Sequence, residues 1–194
     1  MSSPLERASA TATSIARLQE LAGHPIPEVE ILPQLNNVDV GPWAGSPLVQ
    51  VRGLDFPPEA ESLEEVWART KEAWAHLINE AAPAAHDASG GRSIVVVAHA
   101  YITAALVCHC LGLGQDAVAW FRKDPGGVTI LDFPDGHDGQ GVVRCINYTA
   151  HLGRWAVPIT REDLGAALCH TLLARCITRG LHRCVRRGRL LLRS

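Results

Sequence analysis

The stretch SIVVVAHAYITAAL, residues 93–106, constrains the fold more than any other part of this chain. Five apolar residues, Ile94 to Ala98, run without interruption to His99, and apolar residues then continue at helical spacing. The β-branched run predicts a buried strand over 93–98, and the change of period predicts a helix from His99 to about Gly112. A strand that passes directly into a helix is the building unit of an α/β sheet. An imidazole at that junction must either be satisfied by a partner such as a backbone carbonyl or have a chemical task.

Other segments fit the same class. Ser3-Pro4-Leu5-Glu6 has the form of a helix start, with a serine cap, proline at the first helical position and glutamate three residues after the cap. Leu5, Ala8, Ala12, Ile15, Leu18 and Ala22 keep helical spacing up to Gly23, and PIPEVEIL then reads as a short strand. A second capping box, Ser62-Leu63-Glu64-Glu65, opens an amphipathic helix that places Leu63, Val66, Trp67, Thr70, Trp74, Leu77 and Ile78 on one face. GGVTILDF and GVVRCINY predict two strands around the turn PDGHDG, and Thr160-Arg161-Glu162-Asp163 is a possible start for one more helix. The expected architecture is a three-layer α/β sandwich with a mixed, mainly parallel sheet flanked by helices.

Charge divides the chain. Residues 164–194 hold seven of the 18 basic residues and none of the 20 acidic ones, so residues 1–163 carry a formal −9 and the remainder +7. This predicts a domain over 1–160 and a basic Arg/Leu/Cys-rich extension over 161–194. An acidic body argues against nucleic-acid binding. No apolar run is long enough to span a bilayer, and MSSPLERASATA has no secretory pattern, so an intracellular protein is expected. The six cysteines show no disulfide-scaffold spacing and are expected to be free thiols. Cys108-His109-Cys110 cannot converge on one ion from consecutive helical positions, and the Cys/His pairs of the tail have no recognised metal spacing, so no metal and no cofactor are expected.

The ligand most suited to His99 is an anion. Carboxyl ends of parallel strands are the ligand-binding edge of α/β sheets, and helix N-termini favour negative charge. Arg7, in the first turn of the first helix, adds a guanidinium able to hold a phosphate in two contacts. Trp43 and Trp120 are candidates for lining a cleft, and His151 for its border.

Several segments, in order, resemble the histidine phosphatase superfamily, also called phosphoglycerate-mutase-like. SSPLERASATA is similar to that family's SxLxRAxxTA helix, LNNVDVGPWAG to its LxExxxGxWxG segment, and AESLEEVWAR to the segment around its Glu-Ser pair. VVVAHA resembles the strand bearing the second active-site histidine, and NYTAHL the NxTxHL strand end. The region after the AHA strand resembles plant and cyanobacterial phosphoglycerate-mutase-like phosphatases. The resemblance covers about residues 2–155. It implies a phosphomonoester hydrolase acting on a small phosphorylated metabolite, a sugar or sugar-acid phosphate, in the cytoplasm or chloroplast stroma, with Arg7 and His99 as phosphate ligands.

Two departures qualify that expectation. The family's nucleophile is a histidine in an Arg-His-Gly motif after a first central strand, and this sequence contains no such triplet. Asn37 stands where many members carry the glutamate that protonates the leaving oxygen, and an amide is no general acid at neutral pH. Asp39 is the substitute considered, with Glu61 a weaker one. The sequence therefore predicts a sheet lacking the first central strand and a marginally stable chain without turnover. The alternative function is a non-catalytic pseudo-enzyme that binds phosphate compounds or a partner. Oligomeric state is left open.

Overall fold

Residues 1–3 lie between two other extended segments and pair with both. Ser2 N donates to Glu30 O (2.8 Å) and Leu32 N to Ser2 O (2.9 Å), while Ser3 N donates to Val97 O (3.0 Å) and Val97 N to Met1 O (3.1 Å). The pairing is parallel on both sides, at Ser2–Ile31 and Ser2–Val97. The structure, a computed structural model, describes residues 1–25, 28–46, 50, 57–81, 93–133 and 141–153. The expected helix at 160–163, the basic extension and the turn PDGHDG lie outside them.

The described residues hold three α-helices, α1 (Glu6–Leu21), α2 (Leu63–Ala81) and α3 (Ala100–Cys110), and an antiparallel hairpin of β1 (Val128–Asp132) and β2 (Val142–Tyr148). Parallel and antiparallel pairing both occur, and the chain is α/β. Among the described residues, the expected strands over PIPEVEIL and 93–98 form single bridges, at Ile31 and Val97. Among the described residues, none bonds the backbone N–H groups of Ile94, Val96 and Ala98.

Apolar side chains from four places meet in one core. Leu32 and Leu35 from the loop after the ladder, Val66, Ala73 and Leu77 from α2, and Ile102 and Leu106 from α3 are buried together, with Ile94, Val96 and Ala98 against them. Val66 and Thr70, both fully buried, and Leu77 lie on the face predicted for α2; Trp67 and Trp74 are half-buried on its flanks. The capping box forms as read: Ser62 N donates to Glu65 Oε2 (2.8 Å) and Glu65 N to Ser62 Oγ (3.2 Å). These bonds to Ser62 lower the pKa of Glu65 by favouring the carboxylate.

The reading of α1 needs two corrections. Its N-cap is Leu5, which has no polar side chain to cap with; the Ser3 hydroxyl accepts from Leu5 N (3.3 Å), just before the helix, and lies against His99. Its buried stripe is Ala8, Ala12 and Ala16, a strict four-residue repeat of small side chains, so the predicted Leu18 falls off the face and is 66% exposed.

α3 is buried on two faces. Ala104, Ala105 and Cys108 pack with Ala117 and Val118 of a 3-10 segment, and His109 turns towards α2, where Nε2 lies 3.1 Å from Thr70 Oγ1 and the ring 4.0 Å from that of Trp67. Burial, with Lys71 nearby, lowers the His109 pKa. Packing thus accounts for the Cys-His-Cys run. The described residues 40–46 and 57–60 belong to a second unit, in which Gly41 has φ +54° and a Cβ would come within 3.2 Å of Ala60 N.

Candidate phosphate site

The register of the ladder places Ser3 beside His99. Both chain segments leave the ladder at the same end, one entering α1 four residues after Ser2 and the other entering α3 three residues after Val97. Arg7 stands in the first turn of α1 and His99 is the N-cap of α3. The residues expected at the site therefore converge at the carboxyl ends of parallel segments and at a helix N-terminus.

His99 is 9% exposed and has a partner on each ring nitrogen: Ser3 Oγ lies 2.8 Å from Nε2 and Arg7 Nη2 lies 3.3 Å from Nδ1. A guanidinium only donates, so Nδ1 must present its lone pair to Arg7. The imidazole is then the neutral Nε2–H tautomer, donating to Ser3 Oγ. Its pKa is pushed down to about 4, first by burial and then by the positive charges of Arg7 and Arg69. Ser3, which sequence reasoning assigned to a helix cap, is the partner that fixes the ring. No local sequence signal marks it, since its burial follows from the ladder.

Arg7 is exposed, and among the described residues its side chain contacts no carboxylate. Among the described residues it bonds one neutral ring, which leaves N–H groups over. Asn37 is half-buried and Asp39 exposed, on a segment whose backbone is held by Arg69 of α2 and by Glu61. Glu61 accepts from Arg69 Nε and Nη2 and from Asp39 N, so its carboxylate is committed as an acceptor. Arg69 was not singled out from the sequence, yet its charge reaches His99 and its hydrogen bonds reach the Asn37 segment.

Trp120 is 74% exposed, and His151 stacks on Tyr148 at 5.9 Å. At the far side of the hairpin, Asn147 (φ +52°) accepts from Asp124 N (2.8 Å) and donates to Asp124 Oδ2 (2.7 Å), while Arg122 grips the same carboxylate. That lock explains the asparagine of NYTAHL structurally. Among the described residues no group of histidine, cysteine and carboxylate side chains has metal-site geometry, and no helix is long and apolar enough to cross a membrane.

The profile of the histidine phosphatase superfamily, branch 1, matches residues 1–148, and the chain belongs to that superfamily. It is 39% identical over 169 residues to a 2-carboxy-D-arabinitol-1-phosphatase of Triticum aestivum, covering 82% of this chain and 34% of the relative. A probable 2-carboxy-D-arabinitol-1-phosphatase of Arabidopsis thaliana is 35% identical, covering 76% and 31%. The chain thus spans about a third of the length of these relatives. Among solved structures it is similar to a mycobacterial glucosyl-3-phosphoglycerate phosphatase in complex with inorganic phosphate (TM-score 0.61, 23% identity, 76% of this chain and 75% of that one). It is also similar to an alpha-ribazole phosphatase from Shigella flexneri (TM-score 0.54, 20% identity, 82% and 75%). These two likenesses concern the fold.

Proposed function

We propose that Arg7 and His99 bind the phosphate of a small phosphorylated metabolite, a sugar or sugar-acid phosphate, and that residues 1–160 form the phosphate-recognising portion of a phosphomonoester hydrolase. The observation that carries this is the contact between an otherwise uncommitted guanidinium and a neutral imidazole at the start of α3. Arg7 supplies positive charge, the first turn of α3 supplies N–H groups, and His99 supplies a ring whose protonated form a dianion favours. Phosphoryl transfer relies on such positioning and on stabilising equatorial oxygens. The names of the plant relatives support a phosphorylated sugar acid as the substrate class; the compartment we propose is the cytoplasm or the chloroplast stroma. The basic residues of 161–194 form an extension outside this role.

A second reading is favoured by a specific observation: the sequence has no Arg-His-Gly triplet, and Asn37 cannot protonate a leaving group. On that reading the chain binds phosphate compounds without turnover. Both readings share the same anion site, so binding is the decisive first test. Inorganic phosphate added to the purified chain should shift the His99 imidazole resonances, and Arg7→Met should weaken binding by about tenfold or more, the loss expected for a charge-assisted hydrogen bond. Unchanged affinity in Arg7→Met would remove the proposed site.

A further inference from the structure

We propose that Arg69 is the positioning residue of this site, fixing the backbone of residues 34–39 and so setting where the Asn37–Asp39 segment stands relative to Arg7 and His99. The proposal rests on the phosphate reading above for its functional meaning, and on hydrogen bonding for its geometry. Arg69 Nη1 donates to Gln34 O (2.7 Å) and Asn36 O (2.8 Å), Nη2 donates to Asn37 O (3.1 Å) and Glu61 Oε2 (2.9 Å), and Nε donates to Glu61 Oε1. A guanidinium has five N–H donors in one plane, and here each has an acceptor.

Glu61 grips the same segment from the other side. Its Oε2 accepts from Asp39 N (3.2 Å) and its own N–H donates to Asp39 O (2.9 Å). The two side chains are only 18% and 19% exposed, so solvent is a poor replacement for these contacts. Three carbonyls bound in one plane leave the loop backbone little freedom to rotate, and a lysine, with three donors on a point charge, cannot reproduce that plane. The fork's carbonyl contacts all fall on residues 34–37, next to the positions considered for the proton donor, and its charge is felt at His99. The charges facing His99 are Arg7 from α1 and Arg69 from α2.

The test compares the whole chain with Arg69→Met, Arg69→Lys and Glu61→Gln, reading amide exchange at residues 36–39, the His99 titration, inorganic phosphate affinity and, where a phosphomonoester is turned over, kcat and KM separately. In Arg69→Met, exchange at 36–39 should rise by about tenfold or more while amides in α1 and α3 stay protected. The His99 titration should move upward, and phosphate affinity should change by less than about threefold because Arg7 remains. Arg69→Lys keeps the charge and loses the fork, so it should loosen the loop as methionine does and leave the His99 titration near that of the unaltered chain. Where turnover exists, kcat should fall with KM nearly unchanged, the split expected of misplaced groups. Unchanged exchange, or a uniform rise across all helices, would overturn the proposal, since the second pattern belongs to a merely structural contact. Should Arg69→Met fail to fold, the lysine and Glu61→Gln variants give the same readouts. Absence of phosphate binding in the unaltered chain would overturn the reading of Arg7 and His99, while the exchange arm would still decide whether Arg69 holds the loop.

Discussion

At the scale of single residues, the chemistry turns on a histidine kept neutral. His99 has an ordinary pKa of 6.5 when unfolded and about 4 when folded. Between these values the unfolded chain binds a proton that the folded chain refuses, so unfolding takes up a proton and stability rises with pH across the window. Lowering the pH from 6.5 to 4 should therefore cost the fold about 3 kcal/mol through this group. His109 is lowered in the same direction and adds to the slope. Urea unfolding at several pH values, in the unaltered chain and in His99→Gln, separates the two: the variant should show a shallower decline. Equal slopes would mean that folding does not lower the His99 pKa. A bound phosphate dianion opposes this shift, because a negative charge favours imidazolium, so saturating inorganic phosphate should move the His99 titration upward, read by NMR of the ring. That Arg7 and His99 meet is what residue type and junction lead one to expect. The place of Ser3 was not legible in this way, since Ser-Pro-x-Glu carries the same letters as a helix cap, and only the ladder register shows that its hydroxyl is directed to Nε2.

At the scale of elements, legibility follows how local the determining forces are. The start of α2 was readable from four residues because the capping box closes on itself, and Ser62→Ala should cost about 1 kcal/mol of stability in chemical denaturation. A loss near zero would mean that water replaces the hydroxyl. The hairpin was readable because alternation and glycine turns are local signals. Its lock was not: a Cβ at position 127 would collide with Asn147 Oδ1 and come within 3.0 Å of Asp124 O, so Gly127 is required by residues about twenty positions apart. Gly127→Ala should therefore break the Asn147–Asp124 bonds and destabilise the hairpin by about 1–3 kcal/mol, read as lost exchange protection in β1 and β2. The extended segments at 28–31 and 93–98 show the opposite limit. Their side-chain pattern is that of strands, but strand pairing depends on neighbours that no local pattern encodes, and among the described residues each pairs with Ser2 through a single bridge.

At the scale of the whole molecule, membership of the superfamily and the geometry at Arg7 and His99 point to phosphate chemistry, while the letters of the sequence lack one of its parts. Arg7 and His99 are electrostatic groups; neither is placed to be a nucleophile, because Nδ1 of His99 faces a guanidinium and Nε2 carries a proton directed at Ser3. An attacking imidazole needs a free, unprotonated nitrogen aimed at phosphorus, and no Arg-His-Gly triplet supplies one here. On the proposed reading Arg7 and His99 hold the phosphoryl group, and the sequence contains no Arg-His-Gly histidine to attack it. The purified chain should accordingly bind inorganic phosphate yet release none from a sugar phosphate above background, measured by a phosphate-release assay over hours. Robust turnover that disappears in His99→Ala would contradict this, and would require another of the chain's histidines, or water activated by Asp39, to perform the attack. Turnover that persists in His99→Ala would instead mark a contaminating phosphatase, because removing the buried ring removes the partner of both Ser3 and Arg7.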